Sequence, residues 1–225
     1  MRPSSSVVRV VGRSAWIAAW AGVALAPVHA LSRFATEDGR EDLRFAPTRL
    51  WAEPAAERLR PLLQWSDPDT VYITYGKGWL VLFVAATACA FLVHSTRRRS
   101  GLERLAWPVA LTGLVLASAS LVSDYFTPWI DESFLFLGIP GTLISVLGSL
   151  TLGIALLRRG FRPRATAWLL ILWLPLLVVL SSLVAMGAGA LPMLFAWGFA
   201  GRAMGARRHT RRPLPTPSSG ASTTA

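Results

Sequence analysis

Long runs without a charged side chain alternate with short charged segments along this chain. Residues 14–31, 78–93, 105–122 and 133–157 form the first four runs. A helix crosses a hydrocarbon core about 30 Å thick with about 20 mostly apolar residues. Each run therefore predicts one span, and the second has room to start earlier. The fifth run, 165–202, is 38 residues long and meets its first charge only at Arg202. As one straight helix it would reach about 57 Å, so it must break. Met186-Gly187-Ala188-Gly189-Ala190 is the natural turn, and Pro192 suits the first turn of the next helix. The pattern predicts an all-α integral membrane helical bundle of six transmembrane helices.

Between the first two spans lies the one substantial polar segment, 32–77. Leu50, Trp51, Ala55, Leu59, Leu62 and Leu63 recur at helical spacing, with Pro54 and Pro61 limiting any helix to short pieces. Short surface helices are expected here, with Trp51 and Trp65 at the headgroup level, as a cap over the bundle or as a lid. Ser66-Asp67-Pro68-Asp69 is a helix-start signal. The next five residues, Val71-Tyr72-Ile73-Thr74-Tyr75, alternate like a strand without an evident partner. A strand and an early start to the second span both remain open.

Composition sharpens the class. Hydrophobic residues make up 53% of the 225 and charged residues 16%. A soluble domain averages about 25% charged, which sets aside an ordinary globular enzyme and a disordered chain. Arg outnumbers Lys by 22 to one, which reads as a GC-rich genome. The single cysteine, Cys89, excludes an intrachain disulfide and a multi-cysteine metal site.

The net charge of +11 changes the picture only through its placement. With six alternating spans, one face collects the N-terminal tail, loops 97–104 and 158–164, and the C-terminal end. Together these hold 16 basic residues and one acidic residue. The other face, with segment 32–77 and loop 124–132, holds seven basic and 11 acidic residues. The positive-inside rule makes the basic face cytoplasmic and puts both termini there. The organisation expected is a cytoplasmic tail 1–13, a membrane domain 14–205 and a disordered basic tail 206–225. Val28-His29-Ala30 also fits a signal-peptide cleavage site; removal of the first span would leave five. Trp16, Trp79, Trp107 and Trp168 fall near span ends, where indole rings favour the interface, whereas Trp173 and Trp197 lie deeper and read as packing residues.

Candidate chemistry is sparse. In the fourth span Gly141, Ser145, Ser149 and Gly153 are four apart, with Gly148 beside the same stripe. Small residues let membrane helices approach closely, so these five are helix-packing positions; Gly201 and Gly205 repeat the spacing in the last span. Pro140 and Pro175 are kink candidates, Pro175 the better one. No Asp, Glu, Lys or Arg lies mid-span, which disfavours proton pumping and ion-coupled transport. At the outer face His29, Asp124, Asp131 and Glu132 form a candidate polar cluster. Histidine with carboxylates can hold a divalent metal or do acid–base work, but the spacing has no metal motif and no cofactor is predicted. No phosphate loop, zinc-protease motif or nucleophile elbow occurs.

Trp51-Ala52-Glu53-Pro54, the run Asp67-Pro68-Asp69-Thr70-Val71-Tyr72-Ile73-Thr74-Tyr75-Gly76-Lys77, and Gly153-Ile154-Ala155-Leu156-Leu157-Arg158-Arg159-Gly160-Phe161-Arg162-Pro163-Arg164 stand out. Together they resemble a group of uncharacterised multi-pass membrane proteins of GC-rich bacteria. The resemblance implies a bacterial cytoplasmic membrane and brings no activity or site residues.

The expected partners are the lipid bilayer, anionic headgroups at the cytoplasmic face and a second membrane protein, with nucleic acid not among them. The leading functional expectation is a non-catalytic accessory or interaction subunit. The alternative is a small transporter or binder of a lipid or other apolar solute.

Overall fold

The computed structural model describes residues 3–98 and 100–209, and these are helical with no strand. The tail 206–225 falls almost wholly outside this range. Helix α1 is Ser5–Ala35, begun by the Ser4 side chain accepting from the Val7 N–H. After a 3-10 turn at Asp38–Arg44 come α2, Ala46–Arg58, and α3, Arg60–Leu63. Then follow α4, Pro68–Thr96, and α5, Leu102–Phe126. A short α6, Ile130–Ser133, runs through a π turn, Phe134–Gly138, into α7, Ile139–Arg158. The chain ends with α8, Arg164–Ile171, α9, Trp173–Leu183, a 3-10 turn at Met186–Ala190, and α10, Leu191–His209.

Four helical stretches are long and apolar enough to cross a membrane: Ser5–Ala35, Pro68–Thr96, Leu102–Phe126 and Phe134–Arg158. The pair α8 and α9, bent by 65°, makes a fifth candidate if the two together form one broken span. Of the six spans expected, α10 does not reach that standard, because Arg202, Arg207 and Arg208 fall within its 19 residues and, with its glycines, lower its hydropathy. Its position explains the composition. Met193, Leu194, Ala196, Trp197 and Ala200 are all at most 1% exposed, so α10 is a central helix, with Phe195 and Phe199 half-buried and Arg202 exposed on its one outward side. It runs antiparallel to α1: Gly201 lies on Gly12, Gly198 on Ala15 and Ala19, and Leu194 on Gly22. A Cβ on Gly12 would stand 2.5 Å from the Gly201 carbonyl oxygen, so both positions require glycine for this close approach.

The start of α4 decides the open reading of 71–75. Asp67 caps the helix by accepting from the Thr70 N–H at 2.9 Å, and Pro68 sits in the first turn. The alternation belongs to a helix whose Val71, Gly76 and Trp79 turn inward. That bond holds the Asp67 carboxyl below its usual range. A depressed folded value means that its support of α4 is present at neutral pH and disappears as acid carries the solution through that value.

The break between α8 and α9 falls at Leu172 (φ −83°, ψ 1°), not at Pro175 itself. Proline has no N–H to give the Ile171 carbonyl four residues back, and its ring crowds that turn. The helix resumes one residue later, with the Leu176 N–H donating to Leu172. Pro175→Leu restores the donor and is expected to straighten the pair. Spin labels at Ala165 and Ser182 should then move apart by about 4 Å, from helix geometry; an unchanged distance would assign the bend to packing instead. Pro140, the other kink candidate, follows directly on the π turn Phe134–Gly138, so its missing N–H falls where the regular hydrogen-bond ladder is already interrupted.

Two interface assignments are corrected. Trp79 and Trp107, expected at span ends as interfacial rings, are 2% and 0% exposed. Trp107 packs on the His94 and Trp197 rings and donates to Glu103, and Trp79 packs on His29 and against Gly187, so both indoles are held inside the bundle. Trp168 is exposed and Trp16 half-buried, whereas Trp173 and Trp197 are buried packing residues.

Candidate functional site

The bundle end that carries segment 32–77 gathers a polar cluster around His29. His29, two turns before the end of α1, is buried, and its ring stacks on Tyr72 of α4 with centroids 4.9 Å apart. Its Nε2 shares a 3.2 Å hydrogen bond with the Tyr125 hydroxyl of α5. Trp79 closes the box edge-on at 6.2 Å. Tyr125 reaches this place because Gly76 lies flat beneath its ring, where any Cβ would overlap the ring. Arg33, one turn above His29, lies against Tyr72 and donates to Asp42 at 2.9 Å. A polar chain thus runs from the external segment into the bundle end.

Of the four outer-face candidates, His29 therefore meets tyrosines and an indole. Asp124 lies next to Tyr125 in sequence, but its carboxylate accepts from the Ser120 hydroxyl at 3.0 Å and from the Ser133 hydroxyl. It ties α5 to the α6 turn. Glu132 is exposed. The Asp131 side chain lies outside the described residues. Among the described residues no three His, Cys, Asp or Glu side chains gather as metal ligands. Tyr125→Phe removes the partner of His29 Nε2 and is expected to destabilise the bundle by about 1–2 kcal/mol. A melt within experimental error of wild type would mean that stacking on Tyr72 alone holds His29.

Segment 32–77 is anchored at the same end. Thr48 donates to the Ser182 carbonyl at 3.1 Å, and Trp51 Nε1 donates to the Leu183 carbonyl at 2.7 Å. These are last-turn carbonyls of α9, left without intrahelical donors. Phe34, Ala52, Leu63 and Ala185 pack beneath as a small second core.

The five helix-packing positions are all buried. Gly141 lies on Ala117, Ser145 on Gly113 and Gly148 on Ala110, an antiparallel seam between α7 and α5. Gly153 faces Ala167 and Ile171 of α8. Ser149 is fully buried on the same stripe.

At the opposite end a feature invisible to motif reading appears. Glu103 is 1% exposed in the first turn of α5. It accepts from Arg97 at 2.7 Å, from Arg159 at 3.0 Å and from Trp107 Nε1 at 3.2 Å. Arg97 also covers the Phe161 ring, 4.9 Å from its centroid. The ends of α4, α5 and α7 meet on this carboxylate. The i,i+4 spacing of Glu103 and Trp107 was the only local signal; Arg159 lies 56 residues away. Tyr125 likewise pairs with His29 across 96 residues.

Compared with known protein families, curated proteins and solved structures, the chain matches none of them.

Proposed function

We propose that this protein is a multi-pass subunit of a bacterial cytoplasmic membrane, with both termini cytoplasmic, that acts by holding a second membrane protein. Three features support six spans: α10 runs along α1 in the opposite sense, basic residues collect at one bundle end, and the bent pair lies between. The observation that carries the interaction reading is α9. It is an 11-residue apolar helix of which only Trp173 is buried in this chain. It is set at 65° to α8 and held at its far end by Thr48 and Trp51. Such a helix presents a fixed apolar face, with Leu174, Val178, Val179 and Leu183 exposed. The Ser182 hydroxyl stands on its exposed side and supplies the polar contact that joins membrane helices. The occupant that fits within a bilayer is a helix of another membrane protein. The titratable groups at both ends hold helices together, which suits a non-catalytic scaffold.

A photo-crosslinker at Val178, compared with one at Leu147, exposed on α7, tests this in native membranes. A protein adduct of defined mass from Val178 alone, abolished by Val179→Trp, is expected. Lipid adducts alone from both positions would overturn it.

That outcome favours the second reading, a binder or carrier of a lipid or apolar solute. The bend at Leu172 and the tie from the external segment to α9 support this alternative. Uptake in proteoliposomes that disappears in Pro175→Leu would establish it.

A further inference from the structure

We infer that the seam between α1 and α10 binds one anionic glycerophospholipid of the basic-side leaflet, an inference that rests on the membrane-embedded reading alone. On α1, Arg9, Arg13, Trp16 and Trp20 follow one another at four-, three- and four-residue steps and share a helix face. On α10, Phe195, Phe199 and Arg202 do the same at four and three. Because the helices are antiparallel and in backbone contact at Gly12 and Gly201, the two stripes lie side by side in matching order.

The rings form one patch. Trp16 and Phe199 are 5.3 Å apart, Trp20 and Phe195 5.3 Å, and Trp16 and Trp20 5.9 Å. Trp20 is 55% exposed, so the patch faces outward. Above it the guanidinium of Arg202 stands 5.0 Å from the Trp16 centroid, with Arg13 and Arg9 exposed on the same stripe. From Arg13 to Trp20 the helix rises about 10 Å, within the depth of one leaflet, about 15 Å. The surface is cationic at the headgroup level and aromatic along the chain region.

Charge decides the occupant. No Asp or Glu occurs before Glu37 or after Glu132, so neither α1 nor α10 contains an acid. At the same end of the bundle, Arg97 and Arg159 both pair with the Glu103 carboxylate. Among the described residues Arg9 and Arg13 have no protein partner. A phosphodiester supplies the missing anion and its acyl chain covers the rings, whereas an apolar helix would cover the rings and leave the arginines unpaired.

The test uses the full chain purified in mild detergent, with native mass spectrometry against phosphatidylglycerol and phosphatidylcholine. Wild type is expected to retain one phosphatidylglycerol in preference. The variant Arg9→Gln/Arg13→Gln/Arg202→Gln should lose that preference by about tenfold or more. Arg98→Gln/Arg158→Gln/Arg164→Gln, with the same change in charge, should stay within about twofold. Equal losses in both variants, no preference in wild type, or a crosslink from position 20 to protein instead of lipid would each overturn the site. Release of the chain by carbonate extraction would overturn the membrane reading itself, a separate result.

Discussion

Glu103→Ala is expected to destabilise the protein by about 3 kcal/mol. Removing one member of a buried ion cluster leaves its partners without a counter-charge, which typically costs about 3–5 kcal/mol. The lower end applies here because the Arg97 and Arg159 side chains are 23% and 39% exposed and can regain water. For a chain of this length the loss corresponds to a melting temperature lower by roughly 6–12 °C. Glu103→Gln should fall between, since one oxygen still accepts from Arg97 and Trp107. The informative variant is the triple replacement Glu103→Leu/Arg97→Met/Arg159→Met. It removes every charge of the cluster at once and should recover most of the loss, because an apolar cluster has no desolvation cost to offset. A melt of Glu103→Ala within about 0.5 kcal/mol of wild type would mean that the three helix ends are held by packing alone.

Gly113→Ala is expected to have the second large effect. A Cβ at this position would overlap the backbone nitrogen and Cα of Ser145. The neighbour cannot move aside as a side-chain tip could, so α5 and α7 must separate along the seam. Overpacking of a tight core costs about 1–3 kcal/mol, and the upper end applies where backbone meets backbone. Ser145→Gly should not rescue it, because the clash is with main-chain atoms. Gly205→Ala is the control: nothing lies within 4 Å of its added Cβ. Helix propensity predicts a gain there of about 0.5–1 kcal/mol. Thermal melts of the three variants in one detergent decide the matter. Equal effects at 113 and 205 would mean that helix propensity, not the seam, sets the cost.

These two sites differ in how far they could be foreseen. The Gly141–Ser145–Ser149–Gly153 stripe, with Gly148 beside it, stood out in the sequence because small residues four apart must share a helix face. Its partner, the face of α5 at Ala110, Gly113 and Ala117, could not be read, since nothing local says which helix comes alongside. Glu103 looked like a loop acid that merely lowered the charge of a basic segment. Its burial depends on where Arg159 arrives, and that is a property of the bundle. His29 was singled out for its chemistry, yet its partners are Tyr72 and Tyr125, placed by Gly76 and not by any spacing along the chain.

What the sequence by itself determined is the helical class, the apolar stretches and the segregation of basic from acidic segments. Each follows from local rules: a 1.5 Å rise per residue, the cost of an unpaired polar group in hydrocarbon and the preference of arginine for one side. It also marked Pro175 as a kink candidate, though the break between α8 and α9 falls at Leu172 because a proline disturbs the turn before it. Only the tertiary structure decided that α10, the least apolar of the long helices, occupies the centre. It also decided that Trp79 and Trp107 face inward and that α2 caps the end of α9. Those outcomes depend on which helices are neighbours. Between membrane helices that choice is made by close backbone approach and by the pairing of buried polar groups, which arise only when distant segments meet.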